Sequence, residues 1–498
     1  MADLVIGLDV GTSGTKTVLM ADDGTALASA SWHYAIDRRS PVEVEQDAED
    51  WWTAIVRSVR AVTDGIDPAR IGALAMSVQG GTLVNADRDG NPLAPARSWL
   101  DSRAAAAAQA LDARFGAHGF YERTGWKLGP RYNAAQIADM RSHDHDLFAA
   151  TGLFLSTHDF LAMRLTGRPC LDRNSAGITQ LTNAAERRYD PDILEAIGID
   201  ESVLPGLVDP GEAIGTLTPR AAADLGLPRD VVVVAGGHDQ YCAALGAGAL
   251  DASTLVLSTG TAWVVLGASA VPLPDPRENL SFSDHVLPGL WGAFCSLLNG
   301  GSSLEWVRGL WGTSGEPLSF DAVTQDVLAT PAGSDGLMLV PHFGATVPVW
   351  DERSRGGFVG MDLTHERRHF VRATLEGICY EAATLVALHR GVNPQVSAVR
   401  VMGGATQSPV WPRIIADVLG EPIDVLREPD AACRGAAMLA AAADPARIGE
   451  CCLRMMPGST RLEPGPDSAF YQDAVPRRAA FVSSLDAAQR QASTPERN

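Results

Sequence analysis

Leu4-Val5-Ile6-Gly7-Leu8-Asp9-Val10-Gly11-Thr12-Ser13-Gly14-Thr15-Lys16-Thr17-Val18-Leu19-Met20 is an apolar run with one carboxylate, a turn of small hydroxylated residues, a lysine and a second apolar run. The pattern predicts a β-hairpin with Asp9 near its tip, because two strand-like runs flank a Gly/Thr/Ser turn. Aspartate is depleted in strands, so Asp9 needs a reason to be there. One reading makes it a turn cap. The other makes the turn a phosphate loop: small residues let backbone N–H groups approach an anion, hydroxyls and Lys16 assist, and Asp9 faces a metal cation.

The same pattern returns half a chain later. Thr254-Leu255-Val256-Leu257-Ser258-Thr259-Gly260-Thr261-Ala262-Trp263-Val264-Val265-Leu266 is again strand, Thr/Ser-Gly-Thr turn, strand. A chain of 498 residues exceeds what one core organises. Two similar domains, 1–249 and 250–498 with the boundary near Leu250–Ser253, would point two phosphate turns at each other across a cleft.

Composition narrows the partners. A formal charge of −20 argues against nucleic acid and anionic membrane surfaces, though not against a nucleotide held by local loops. Seven scattered cysteines, none in a C-x-x-C pair, argue against a disulfide scaffold or a zinc site and suit reduced cytoplasmic thiols. No basic stretch leads into a long apolar core at the N-terminus, so no signal peptide is expected. No apolar run approaches the ~20 residues that span a bilayer.

Elsewhere, Asp47 is placed to cap a helix with Ile55, Val59 and Val62 on one face. Ile71–Val78 is a strand ending at Gln79-Gly80-Gly81. Residues from about 104 to 225 read mostly as helix. His143-Asp144-His145-Asp146 are consecutive rather than spaced on one helix face, which favours a charged turn over a metal site. Cys433 to Ala443 reads as the final helix, the loop from His342 to Gly356 is rich in Pro, Gly and charge, and disorder is expected near 493–498.

The chemistry concentrates at strand ends. Val231–Ala235 runs through Gly236-Gly237 into His238-Asp239-Gln240 and a small-residue helix. Ligands of open α/β sheets bind beyond such carboxyl ends, and a carboxylate there can take a proton from an incoming hydroxyl. Asp239 is therefore the candidate general base, with a helix N-cap as the plainer alternative. Neither Gly/Thr turn is a Walker A loop. Gly403-Gly404-Ala405 after a strand is a third point of close approach, suited to a purine and ribose. Gln79, with Trp99, Asp101 and Arg103, suits hydrogen bonding to a polyol against an aromatic wall; a surface ion pair between Asp101 and Arg103 is the plainer alternative.

Taken together these residues resemble the FGGY family of carbohydrate kinases over nearly the whole chain. Asp9–Lys16 looks like its first phosphate motif, Leu257–Thr261 its second, Gly237-His238-Asp239-Gln240 its catalytic segment, and Gly403–Ser408 with Ala416-Asp417 its adenosine motif. Gly356–Met361 with Ala373–Gly377 is similar to its C-terminal pattern. The resemblance implies an α/β fold of two actin-like (ribonuclease H-like) ATPase domains around a central cleft. It implies ATP and Mg²⁺, with Asp239 as base and Asp9 on the metal side. It implies ATP contacts from Gly11, Thr12, Ser13, Thr15, Lys16, Thr259, Gly260, Thr261, Gly300, Gly301, Gly403, Gly404, Ala405 and Ser408. For the sugar or polyol it implies Gln79, Gly80, Gly81, Trp99, Asp101, Arg103, Tyr132, His238 and Gln240. Spacing, the Gly14-Thr15-Lys16 ending and Gly403–Trp411 look closest to the family's xylulose-phosphorylating members. D-xylulose is thus the implied acceptor, with ribulose, ribitol, erythritol or glycerol as alternatives and an actin-like ATPase or sugar sensor as the outsiders. Xylulose kinases usually carry Met-His and glycerol kinases Arg-Glu where this chain has Gly80-Gly81. The two glycines are expected to leave space that a larger side chain would fill. The oligomeric state stays open, a homodimer among the options.

Overall fold

The computed structural model describes residues 3–116, 118–313, 315–343 and 355–492. The first half contains β1 (Leu4–Val10), β2 (Gly14–Ala21), β3 (Ala26–His33), α1 (Ala48–Val62), β4 (Ile71–Val78), α2 (Thr157–Thr166), α3 (Arg173–Ile178), β5 (Ala213–Thr216), β6 (Val232–His238) and α4 (Asp239–Gly246). The second contains β7 (Thr254–Thr259), β8 (Trp263–Ser269), β9 (Ser281–Asp284), β10 (Trp291–Leu297), α5 (Gly301–Leu310), α6 (Phe320–Leu328), α7 (Arg367–Val392), β11 (Ala398–Gly403), α8 (Trp411–Leu419), β12 (Ile423–Val425), α9 (Ala431–Ala442), β13 (Thr460–Leu462) and α10 (Ser468–Ala492). Further elements lie between these, among them the helices Ala105–Phe115 and Asn133–His143.

Each half is built on one sheet, and the two sheets share a topology. The first is ordered β5-β6-β4-β1-β2-β3 and the second β9-β10-β8-β7-β11-β12-β13. In both, an antiparallel hairpin (β1–β2, β7–β8) has a third antiparallel strand beside its second arm and a parallel strand beside its first. The duplication expected from two Gly/Thr turns is therefore a duplication of strand order.

Alternation along β1 sets the layers, since successive side chains face opposite sides of a sheet. Leu4, Ile6, Leu8 and Val10 pack with Trp51, Ile55 and Val59 of α1, whose first turn is capped by the Asp47 carboxylate. Val5 faces the other way, into a cluster shared with α4 and α9. That shared layer is built from small residues. A Cβ on Gly7 would lie 1.9 Å from the Cys433 carbonyl oxygen, one on Gly435 1.9 Å from that of Cys242, and one on Gly246 1.9 Å from that of Ala431. Helix α9, from the second half of the chain, thus meets β1 and α4 of the first half backbone to backbone. A separate apolar cluster fills the second half around Trp263, Leu375, Ile378 and Trp411.

The 104–225 region is mostly helical, as expected, but strands interrupt it: Leu153–Ser156 joins a five-stranded sheet, and Cys170–Asp172 pairs in parallel with Gly206–Val208. The helix beginning near Cys433 is not the last, because α10 follows. It carries Pro476 in its interior, and a proline reads as a helix breaker in sequence. His143–Asp146 form the junction of two helices, with the Asp144 side chain accepting from the Leu147 N–H. The expected disorder at 493–498 and most of the Pro/Gly-rich loop, 344–354, lie outside the described residues. All seven cysteines are buried and unbridged. Among the described residues no helix is long and apolar enough to cross a membrane.

Candidate active site

The β7–β8 turn, the start of α5 and the loop after β11 enclose a cavity of about 990 Å³, at the upper end of the size range of small-molecule sites. Of the residues expected to contact ATP, Thr259, Gly260, Thr261, Gly301, Gly404, Ala405 and Ser408 line it. The Thr259 hydroxyl is occupied in joining two loops: it donates to the Met402 carbonyl and accepts from the Ala405 N–H at 3.1 Å. Gly301 and Ser302 donate their N–H groups to the carbonyls of Gly260 and Thr261, which seats α5 on the turn. Gly300 and Gly403 stand one layer back. A Cβ on Gly300 would lie 2.2 Å from the Trp263 ring, and Gly403 packs at positive φ on the Thr259 backbone. Apolar lining comes from Phe320 and Val323 of α6, Leu375 of α7, Pro409 and Trp411, beside the polar Asp321, Thr324 and Gln325 of α6. A slot with this apolar lining and a glycine-rich floor fits a purine nucleotide.

The first hairpin presents Asp9 opposite Lys16 in register. The Ser77 hydroxyl donates to Asp9 Oδ1 at 2.7 Å. Burial and the charge of Asp239 together push the Asp9 carboxyl up to about 7. Asp239 opens α4, and its Oδ1 accepts the Gln240 N–H at 2.6 Å. Burial raises its carboxyl to about 6. The repulsion between the two is mutual; it falls on Asp9, the later of the pair to lose its proton. Lys16 forms an ion pair with Asp430, just ahead of α9. Thr15 is turned to the other face of β2 with its hydroxyl buried, so the turn itself consists of Gly11, Thr12 and the exposed Ser13.

Among the described residues no group of three or more His, Cys, Asp or Glu side chains is placed to hold a metal alone. Two mutually repelling carboxylates nevertheless suit a hard cation that brings its other ligands with it. Mg²⁺ is usually held by one or two carboxylates plus substrate phosphates.

The raised Asp9 carboxyl has a stability consequence with a definite sign. Its folded value near 7 lies above the ordinary 3.8, so the fold disfavours the ionised form, and the cost builds as pH rises from 3.8 to 7. Asp9→Asn should therefore raise the melting temperature of nucleotide-free protein in EDTA at pH 8 by a few degrees (about 2–4 °C per kcal/mol relieved). The gain should vanish near pH 4. Calorimetry across that range checks it, and a gain that grows toward acid would contradict it.

The residues expected to meet the sugar belong to an ordered network. Gln79 donates to Gln46 Oε1 at 3.0 Å, Gln46 donates to the Thr12 carbonyl at 2.7 Å, and Trp99 Nε1 donates to the Thr12 hydroxyl at 2.8 Å. This ties the predicted sugar residues directly to the first phosphate turn. Gln79 Oε1 and Gln240 Oε1 are buried without a hydrogen-bond partner among the described residues, two acceptors available to a polyol. Asp101 is fully buried and is consumed by Arg103 and the Val44 N–H. Arg103 also bonds Glu45, so this pair braces the wall more than it offers charge to a ligand. Tyr132 stacks edge-on against Trp126, and Trp126 lies 5.6 Å from Phe294 of β10. His238 meets Phe294 and Tyr241 edge-on. Burial lowers the His238 imidazolium to about 4, so the ring is neutral; its Nδ1 lies 3.3 Å from Asp239 Oδ1 without a hydrogen-bond partner.

The expectation that Gly80-Gly81 leaves open space is overturned. A Cβ on Gly80 would lie 2.6 Å from His238 Cδ2 and 2.8 Å from Ile178, and Gly81 sits at positive φ with Trp99 and Tyr132 beside it. The space is already filled by side chains from elsewhere in the chain. Sequence reading also missed Trp126, Phe294 and the α6 wall. The helix itself had a signal, since Ser319 caps it and Val323 and Val327 share its buried face. Nothing local marked Phe320 as facing a cavity.

Two family models match the chain: "FGGY family of carbohydrate kinases, N-terminal domain" over residues 4–246 and the corresponding C-terminal domain over 255–443. The xylulose kinase of Escherichia coli K12 is 31% identical over 488 residues, covering 96% of this chain and 98% of its own. Among solved structures, the xylulose kinase from Rhodospirillum rubrum superposes with a TM-score of 0.87 at 26% identity, over 98% of this chain and 100% of that one. The gluconate kinase from Lactobacillus acidophilus superposes with a TM-score of 0.88 at 25% identity, over 98% and 99%.

Proposed function

We propose D-xylulose as the acceptor, converted to D-xylulose 5-phosphate, on the premise that the chain belongs to the FGGY family of carbohydrate kinases. As a member it is a sugar kinase with ATP as phosphoryl donor. The observation that carries the reading is the pairing of a nucleotide-sized cavity in one half with a partly buried carboxylate of raised pKa, Asp239, at a strand end in the other. Xylulose kinases among its relatives and an aromatic pocket with unpaired amide oxygens favour a small neutral ketose. Arg103, balanced by Asp101 and Glu45, suits an uncharged acceptor better than an acid sugar.

The roles follow from chemistry. Residues 1–249 take the sugar and 250–498 the ATP. Gln79, Trp99, Tyr132, His238 and Gln240 hold the sugar so that one hydroxyl reaches Asp239. Asp239 accepts that proton as the hydroxyl oxygen forms its bond to the γ-phosphorus and ADP leaves. Backbone N–H groups of Thr12, Ser13, Gly260 and Thr261 take the phosphate charge, while the Gly11 N–H closes the turn on the Gly14 carbonyl. Asp9 would hold Mg²⁺, which when bound neutralises phosphate oxygens. The enclosed cleft keeps water from the γ-phosphate.

A base of pKa about 6 is ionised at neutral pH and sits near the operating range that proton transfer favours. The acid limb of kcat/KM for the sugar should therefore fall below about pH 6 rather than near the ordinary carboxylate value. A limb near pH 4 would show Asp239 unperturbed or uninvolved.

The deciding experiment is ADP release with a panel of D-xylulose, D-ribulose, ribitol, erythritol, glycerol and gluconate. D-xylulose should give the highest kcat/KM. Preference for another member reassigns the acceptor, and ATP hydrolysis indifferent to all of them would point to an actin-like ATPase.

A further inference from the structure

Asp239 follows a strand that is bulged just before its end and pairs again only through Gly237 and His238. In β6, Val232, Val233 and Val234 pair with Ala73, Leu74 and Ala75 of β4, and then the register shifts so that Gly237 pairs with Ser77. Ala235 and Gly236 share the single position opposite Met76, which makes a bulge. Only glycine fits it, since a Cβ on Gly236 would lie 1.7 Å from the Met76 carbonyl oxygen. Bulges disrupt the ladder and re-aim the side chains that follow. The N–H groups here are taken by side chains instead: Gly236 donates to His158 Nε2 at 3.3 Å and His238 to Asn174 Oδ1 at 2.9 Å.

Asn174 does a second thing. Its Nδ2 donates at 2.6 Å to the carbonyl of Asp284, the last residue of β9, in the sheet that carries the nucleotide turn. The two bonds fix the amide's orientation, because a flipped amide would set donor against donor and acceptor against acceptor. Asn174 is 1% exposed, and Gly237 has no side chain where Asn174 Oδ1 and Val286 approach. A parallel tie runs from the Tyr241 hydroxyl of α4 to Ser283 Oγ at 3.0 Å. One amide therefore joins the residue before Asp239 to the β9–β10 hairpin, and that hairpin to β8 and the Gly260–Thr261 turn.

We propose that Asn174 is a positioning residue that registers the Asp239 carboxylate against the nucleotide-binding half of the molecule. This rests on Asp239 as base. Displacing a base by about 1 Å can cost on the order of 10²-fold in rate, because the hydroxyl, the carboxylate and the γ-phosphate must align together.

The test is Asn174→Leu, branched alike and without either hydrogen bond, assayed beside Asp239→Asn. Asn174→Leu should lower kcat about 10- to 100-fold, with KM for sugar and ATP little changed and one ADP still bound per chain by calorimetry. ATP hydrolysed per sugar phosphorylated should rise, because a misplaced base no longer favours the sugar over water. If Asn174→Leu does not fold, Asn174→Ser, too short to reach Asp284, should show the same split. Wild-type kcat, or a loss of kcat matched by loss of ADP-binding sites, would overturn the proposal. An active Asp239→Asn would instead overturn the base assignment, and an inactive one beside a fully active Asn174→Leu would reject positioning alone.

Discussion

Asp239→Asn should lower kcat by about 10²–10⁴-fold, the usual contribution of a positioned base, with ADP affinity unchanged. Asparagine keeps an oxygen where Asp239 Oδ1 accepts the Gln240 N–H, so the start of α4 retains its shape. What disappears is the only proton acceptor assigned to the reacting hydroxyl. The nucleotide cavity is formed by other elements altogether, which is why binding should survive. The residual rate should lose its acid limb near pH 6, because the titrating group is gone. Removing the Asp239 charge also relieves Asp9, whose carboxyl that charge helps to raise. Stopped-flow phosphoryl transfer together with ADP calorimetry decides the matter. Parallel loss of both would make Asp239 a structural cap.

Gly80→Met should cost about 10²-fold in kcat/KM for the sugar and destabilise the fold by about 1–3 kcal/mol, the usual range for overpacking. Even the Cβ would press on the His238 ring at 2.6 Å and on Ile178 at 2.8 Å, and His238 is covalently next to Asp239. The ring cannot yield easily, since Phe294 and Tyr241 flank it. His238→Gly on the same chain removes the nearer of the two obstacles, leaving Ile178, and should restore part of the lost stability, readable as a non-additive double-mutant cycle. If methionine at 80 were tolerated alone, the pocket would be looser than the packing indicates.

The hairpins at Asp9 and Ser258, the strand before Asp239 and the glycines after β11 were legible because each signal is local: an alternation, a turn composition, a charge where none belongs. The acceptor pocket was only partly legible. Gln79 and Trp99 stand at strand ends and announce themselves. Phe294 and Trp126 meet each other although 168 positions apart in sequence (294 − 126) and carry no local mark. Gly80 was misread for a related reason: a missing side chain says nothing about which distant residue fills the space. Asn174 could not be found at all, since its role depends on a bulge in a strand 60 residues later (β6 beyond Val234). α10 was missed because Pro476 outweighs the weak pattern around it.

The backbone contacts of Gly7, Gly246 and Gly435 with carbonyls of the layer between the sheets bear on how mutational scans of this enzyme should be interpreted. Any side chain at these three positions forces elements apart at once, so nearly every substitution should score as null although none of the three touches sugar or nucleotide. A growth-based screen would rank them beside Asp239. Coupling the scan to protein abundance separates the two groups: the glycine variants disappear from the cell, whereas Asp239→Asn accumulates as intact, inactive protein.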